Sequence, residues 1–210
     1  MSSKGEQTRN AIVSQAVETV AREGFAGLSI GGLAKDLGLS KSGLFAHFRN
    51  KDHLQHQVLE AAKARFVQVV VLPAIDEPRG APRIHALFAN WLHYAAEDEV
   101  IRGGCIFVGA AAELDDQPGP LRDAAVEAQR DWIATLAKAA SLAVEEGHLN
   151  ADLDCEQFAF AAYSILLGRH LYSRFLDHPR AREFTVTSLQ NLLRRASAGA
   201  PDPQPLPELA

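Results

Sequence analysis

Lys41, Ser42, Phe45, His47 and Lys51 fall within one short stretch, SKSGLFAHFRNK. Ammonium groups, a hydroxyl and an imidazole brought together in this way suit the recognition of phosphate oxygens and base edges. Leu44 and Phe48 sit four apart, so on a helix they face inward together and leave Lys41, Ser42, Phe45 and His47 on the other faces. Ser40 is a natural cap for that helix, which the spacing predicts from Lys41 to about Phe48. Asn50 can cap a following helix that opens with Lys51 and Asp52.

Such side chains need a frame, and the residues before them supply one. Leu28, Leu33, Ala34 and Leu37 recur at helical spacing, with Ser29 ahead of them as a cap. Gly38 suits the left-handed position that ends a helix, and Leu39 plugs the turn. Two short helices joined by a glycine turn, with a third starting at once, form a helix-turn-helix, whose second helix enters the DNA major groove. Gly31 and Gly32 cost the first short helix about 1 kcal/mol each relative to alanine. Either they let it approach the DNA backbone or they only weaken its base contacts. Both readings place sequence readout on the helix that starts at Lys41.

The segments TRNAIVSQAVETVAREGFAGLSI and LAKDLGLSKSGLFAHFRNKDHL together resemble the tetracycline-repressor (TetR) family of transcriptional regulators. The first fits the family's opening helix and the Gly-aromatic turn after it; the second fits its core signature. The resemblance covers roughly residues 7 to 60. It implies a recognition helix from Lys41 to His47, with Lys41, Ser42 and Gly43 at its start reaching base edges. Phe45 stands where the family usually has a tyrosine whose hydroxyl touches phosphate, so here only apolar contact remains. His47 takes a position that often points at phosphate. Lys51 matches a lysine that meets phosphate from the start of the next helix. The expected DNA-contacting set is thus Ser29, Gly31, Ser40, Lys41, Ser42, Gly43, Phe45, His47 and Lys51.

The formal net charge of −5 argues at first against a DNA partner. It is unevenly spread: residues 1–60 carry seven Lys/Arg against six Asp/Glu, whereas residues 61–210 carry fourteen against twenty. The head is only mildly basic, so affinity must come from placed cations such as Lys41, Arg49 and Lys51, and binding should weaken with salt. A hydrophobic fraction of 47 % is ample for a core. No apolar run approaches the ~18 residues that span a bilayer, and MSSKGEQTRN lacks an apolar signal core, so the expected location is cytoplasmic. Cys105 and Cys155 lack metal-ligand spacing, and the histidines form no HxxxH pair. Neither a metal nor a cofactor is expected.

The remaining sequence has a helical period throughout. One long helix is predicted from Asp52 to about Val71, then a loop set by Pro73, Pro78, Gly80 and Pro82. Further helices are expected over Arg83–Ala96, Cys105–Leu114, Leu121–Glu146, Asp154–Leu176 and Arg180–Arg195. The fold class is all-α: a DNA-binding head over residues 7–60, a helical domain over 61–198, and a disordered Pro-rich tail over 199–210.

In the family the second domain holds a homodimer and encloses a ligand. The dimer is expected through Arg122–Glu146 and Cys155–Tyr172, where Ala124, Ala125, Ala128, Ala159, Ala161 and Ala162 allow close helix approach, unless these pack inside one subunit. Trp91, Tyr94, Phe107, Trp132, Phe158 and Tyr163 are candidates to line a pocket for a small molecule. Cys105, beside Arg102 in a first helical turn, would have its thiol pKa lowered, which makes a redox or electrophile sensor the alternative to a ligand-responsive regulator.

The function expected is transcriptional repression, released by a small molecule that favours a second spacing of the recognition helices on a palindromic operator. The long helix from Asp52 would be the lever. An enzyme is not expected: the candidate acid-base groups Glu97, Asp98, Glu99, Glu113, Asp115 and Asp116 lie in polar runs with no nucleophile motif. A helix-turn-helix used to bind another protein is a third reading.

Overall fold

The computed structural model describes residues 3–97 and 104–197. Asp98, Glu99, Arg102, Gly103 and the tail expected from residue 199 lie outside the described residues, as does the side chain of Glu97. Among the described residues the regular structure is helical, without strands. The order is α1 (Lys4–Gly27), α2 (Ile30–Asp36), α3 (Lys41–Phe45), α4 (Lys51–Phe66), a π-helical turn (Val67–Val71), α5 (Leu72–Ile75), α6 (Ala81–Glu97), α7 (Ile106–Leu114), α8 (Pro120–Glu145), α9 (Cys155–His170), a second π-helical turn (Leu171–Phe175) and α10 (Ala181–Ala196).

The chain divides into two compact units. The first holds the residues up to Phe66 together with Ala96–Ala128, so α7 and the first turns of α8 cluster with the N-terminal helices. Its α1 starts with a capping box, in which Ser3 Oγ accepts the Glu6 N–H and the Glu6 carboxylate accepts the Ser3 N–H. The core of this unit gathers Ile12, Ala16, Val17, Val20, Phe25, Leu28, Leu33, Leu44, Phe48, Leu54, Val58 and Leu59, all buried. The apolar spacing of α1, α2 and α4 thus closes on one interior. Arg9 ties α1 to α4 through Gln57, and its guanidinium lies over the Phe48 ring.

The second unit comprises Val67–Ala95 and the chain from Gln129 onward. Ile84, Leu87, Phe88, Trp91 and Leu92 of α6 are buried here, as are Leu136, Ala140, Phe158, Leu166, Leu189 and Leu193. His148 Nδ1 accepts the Ala81 N–H, which fixes the start of α6, and Arg79 pairs with Glu145 and Glu146 at the end of α8.

Three expectations need correction. The single helix from Asp52 to Val71 is interrupted at Val67, and Pro73 sits inside α5 instead of a loop. Proline lacks an N–H and crowds the carbonyl four residues back, so a straight α-helix cannot run through it. The wider π turn just upstream accommodates it, and Asn90 Nδ2 donates to the Val70 carbonyl within that turn. The recognition helix is also shorter: α3 ends at Phe45, and His47 N–H bonds the Leu44 carbonyl in a tight turn. The chain must reverse there to bury Phe48 before Asn50 starts α4. Finally, Ala159 and Ala162 are fully enclosed by their own subunit and Ala125 nearly so, so these three are intramolecular packing, whereas Ala124, Ala128 and Ala161 are half-buried.

Candidate nucleic-acid interface

Local capping builds the helix-turn-helix as the sequence predicts. Ser29 Oγ accepts the Gly32 N–H at 3.0 Å and starts α2. Gly38 takes φ 64°, and Leu39 N–H closes on the Ala34 carbonyl at 2.8 Å, which ends the helix in a left-handed turn. Ser40 Oγ accepts the Gly43 N–H at 3.0 Å and lies 3.0 Å from Ser42 Oγ. Asn50 Oδ1 accepts the His53 N–H at 2.8 Å and caps α4.

These caps aim the chemistry outward. Leu44 and Phe48 are buried, whereas Lys41 and Ser42 are exposed and Phe45 is 47 % exposed. Ser29 and Ser40 are exposed caps; Gly31, Gly43, His47 and Lys51 are half-buried. Lys51 opens α4, where free amide groups favour an anion. Nine residues named from sequence thus share α2, α3, the turn after it and the first residue of α4.

Two of the glycines in this frame, Gly31 and Gly43, make close contacts that bear on the exposed face. A Cβ at Gly31 would stand 3.2 Å from Lys41 Cε, so the lysine stem folds over bare backbone of α2. A Cβ at Gly43 would stand 3.1 Å from Ser40 Oγ, the capping atom. Gly31 therefore lies against a cation of the neighbouring helix, a contact neither sequence reading contained.

Sequence reasoning also missed Glu113. Its carboxylate, at the end of α7, accepts the N–H of Phe25 at 2.8 Å and the N–H of Ala26. Gly24 kinks α1 just before, with φ 73°. The acid expected as a solvated member of a polar run is a clamp on the end of α1. Its partners lie 88 and 87 residues away, and no local pattern signals that. His53 also joins the frame: its ring meets Phe48, and Nδ1 accepts the Arg49 N–H.

Cys105 departs from its expected chemistry. It precedes α7 as the N-cap residue and is only 5 % exposed. Burial pushes its thiol pKa up, and the Val108 and Phe107 amides offset only part of that. Desolvation outweighs these amides of the first helical turn. Cys155 is half-buried and is shifted upward too, by desolvation and then by Asp154.

Of the six aromatic pocket candidates, Trp91, Tyr94, Trp132, Phe158 and Tyr163 belong to the second unit and Phe107 to the first, where it meets Phe66 edge-on. Tyr163 donates its hydroxyl to Gln129. A cleft of about 590 Å³ in the first unit is lined by Lys51, His53, His56, Glu113 and Arg122 among others, and one of about 240 Å³ in the second lies between α9 and α10. None of the six lines either. Among the described residues no three His, Cys, Asp or Glu side chains cluster as metal ligands, and no helix is long and apolar enough to cross a membrane.

Comparison with known proteins fits this architecture. A family model described as "Bacterial regulatory proteins, tetR family" matches residues 12–58, and one described as "Tetracyclin repressor-like, C-terminal domain" matches residues 80–189. No curated protein sequence matches significantly. Among solved structures, a TetR-family regulator from Cytophaga hutchinsonii is 20 % identical with a TM-score of 0.84, covering 95 % of this chain and 100 % of that one. A TetR regulator from Chloroflexus aurantiacus is 22 % identical with a TM-score of 0.80, covering 91 % and 94 %. AibR, solved with isovaleryl coenzyme A and operator DNA, is 18 % identical with a TM-score of 0.70, covering 88 % and 97 %. At these identities the likeness is one of fold.

Proposed function

Because this chain belongs to the tetracycline-repressor family of transcriptional regulators, we propose that it acts as a homodimeric repressor whose hold on an operator is released by a small molecule. The observation that carries the reading is the outward face of α3. Lys41, Ser42 and Phe45 are exposed there while Leu44 and Phe48 anchor the helix from behind. Lys41, Ser42 and Gly43 meet base edges; His47 and Lys51 meet phosphate. Two copies bind half-sites about one DNA turn, roughly 34–36 Å, or a multiple of it apart.

The dimer forms through α9 and the turn after it, which expose Phe160, Leu171, Tyr172 and Phe175. Exposed apolar patches of this kind mark association sites. Ligand control is supported by AibR, whose structure holds both a coenzyme A thioester and operator DNA. The ligand acts by binding one spacing of the recognition helices more tightly than the other. The Glu113 clamp is the part of the first unit through which α7 holds α1, and it joins the long α4 as a lever. Its engagement with two amides also speaks against use of Glu113 as an acid-base catalyst.

The test is operator binding by fluorescence anisotropy across a salt series. Wild-type affinity should fall steeply with salt, and a Lys41→Ala, Lys51→Ala double variant should lose most affinity and flatten the log–log slope by about 2. A head that binds another protein instead of DNA would show no preference for the operator over unrelated DNA at any salt concentration, in the wild type and the double variant alike.

A further inference from the structure

Arg169 is an unusual charge in the second unit. The residue is only 7 % exposed. Its Nε has no hydrogen-bond partner, and its Nη1 meets only the Ser173 hydroxyl, at 3.5 Å. Burial, and then Arg182, hold its pKa below the usual arginine range, so the neighbouring charge that acts on it is a cation. A buried guanidinium without a counter-charge is destabilising, which is why such groups are normally paired.

Arg169 lines the cleft of about 240 Å³ between α9 and α10, with Ile165, Gly168, Tyr172, Phe184 and Ser188. At Gly168 a Cβ would meet nothing within 4 Å, so the cleft is open on that side. Of its lining, Tyr172 and Phe184 are exposed, and on α9 and the residues after it Phe160, Leu171, Phe175 and Leu176 are exposed as well, Phe160 at 66 % and Phe175 at 81 %. A buried arginine beside two aromatic side chains has the composition found at interface centres. The space suits a single side chain better than a ligand of ordinary size.

The charge along α9 supplies the complement. Asp152, Asp154 and Glu156 lie at its start, and Arg169 and Arg174 lie at its end, with Arg182 nearby on α10. A two-fold contact between antiparallel copies of α9 sets the acidic start of each against the basic end of the other. Asp154 is occupied, because its carboxylate caps α9 by accepting the Glu156 and Gln157 N–H groups. Asp152 and Glu156 are exposed, and Glu156 is one turn from Phe160.

We infer that the Arg169 cleft is completed by a second copy of this chain, whose Asp152 or Glu156 enters it and supplies the missing carboxylate. This rests on the dimer proposed above and specifies the ionic centre of its interface.

The test measures the dimer dissociation constant of the full chain by sedimentation equilibrium, with and without added inorganic phosphate. Arg169→Met should weaken the dimer at least tenfold and Arg169→Lys less. The surface variant Asp152→Asn, Glu156→Gln, which removes no buried group, should weaken it comparably. Combining it with Arg169→Met should add little, the signature of a direct pair. Dimerisation as tight as wild type in Arg169→Met, or in the surface variant, overturns the inference. Phosphate that saturably tightens the wild-type dimer but not Arg169→Met makes a free anion the occupant and overturns it too. A wild-type chain that stays monomeric at all concentrations refutes the dimer itself, an outcome distinct from a dimer indifferent to Arg169.

Discussion

Glu113 and Gly24 occupy one another's space: a Cβ at Gly24 would stand 2.7 Å from Glu113 Oε2, the atom that accepts the Phe25 N–H. The bare glycine both permits φ 73° and leaves room for the carboxylate. Gly24→Ala should therefore destabilise the fold by about 1–3 kcal/mol from the backbone alone, because φ 73° with ψ 176° is a conformation open essentially only to glycine, with more from the contact. Glu113→Ala should cost about 1–3 kcal/mol, chiefly by leaving the part-buried Phe25 amide without an acceptor, since water can serve the exposed Ala26 amide. The double variant should lose less than the sum, because the contact vanishes with the carboxylate. Urea denaturation of the three variants checks this; strict additivity would contradict the shared space.

Phe45 offers a gain-of-function test. Its ring is 47 % exposed on α3, in a position where the family resemblance expects a tyrosine hydroxyl on phosphate. Phe45→Tyr should leave the unfolding midpoint unchanged and tighten operator binding several-fold, in line with about 0.5–1.5 kcal/mol for one added hydrogen bond. Anisotropy titration at fixed salt reads it out; unchanged affinity would show that position 45 does not face the DNA backbone.

Acid should loosen the second unit. Burial holds the imidazoles of His85 and His170 below their ordinary pKa, and for His170 the charges of Arg174 and Arg169 add to the effect. The folded state therefore binds these protons less readily than the unfolded chain. The stability they contribute is present above the unfolded value of 6.5 and is lost as pH falls below it. The thermal midpoint should drop between pH 7.5 and 5.5 at constant ionic strength, and His170→Gln should shrink that drop.

Cysteine labelling should separate the two thiols. Cys105, buried and shifted upward, should react at neutral pH far more slowly than free cysteine and should match it only in denaturant. Cys155 should react first. Stopped-flow thiol titration resolves the two phases; rapid labelling of Cys105 in the folded chain would restore the sensor reading.

What the sequence disclosed was local. The caps Ser29, Ser40 and Asn50 and the left-handed Gly38 act within four residues, so their types and spacing are enough to read them. The inward pair Leu44 and Phe48 is also correct, yet it misled on length, because an i, i+4 relation survives a tight turn as well as a helix. Glu113 was hidden because its partners are distant in sequence, and Cys105 because burial is a tertiary property that outweighed the local amides. Gly31 looked like a defect of α2 until its neighbour on α3 was known.

Lys41 resting on Gly31 bears on selectivity. A free surface lysine samples many rotamers, and immobilising it on a ligand sacrifices up to about 2 kcal/mol of side-chain entropy. A stem already seated on the adjoining helix forfeits less when a duplex arrives, and its ammonium approaches from a narrower cone. On the proposed operator, preorganisation of this kind would sharpen discrimination among base pairs without adding a contact; a methyl group at position 31 would push the lysine stem away by a few tenths of an ångström while making α2 itself more helical.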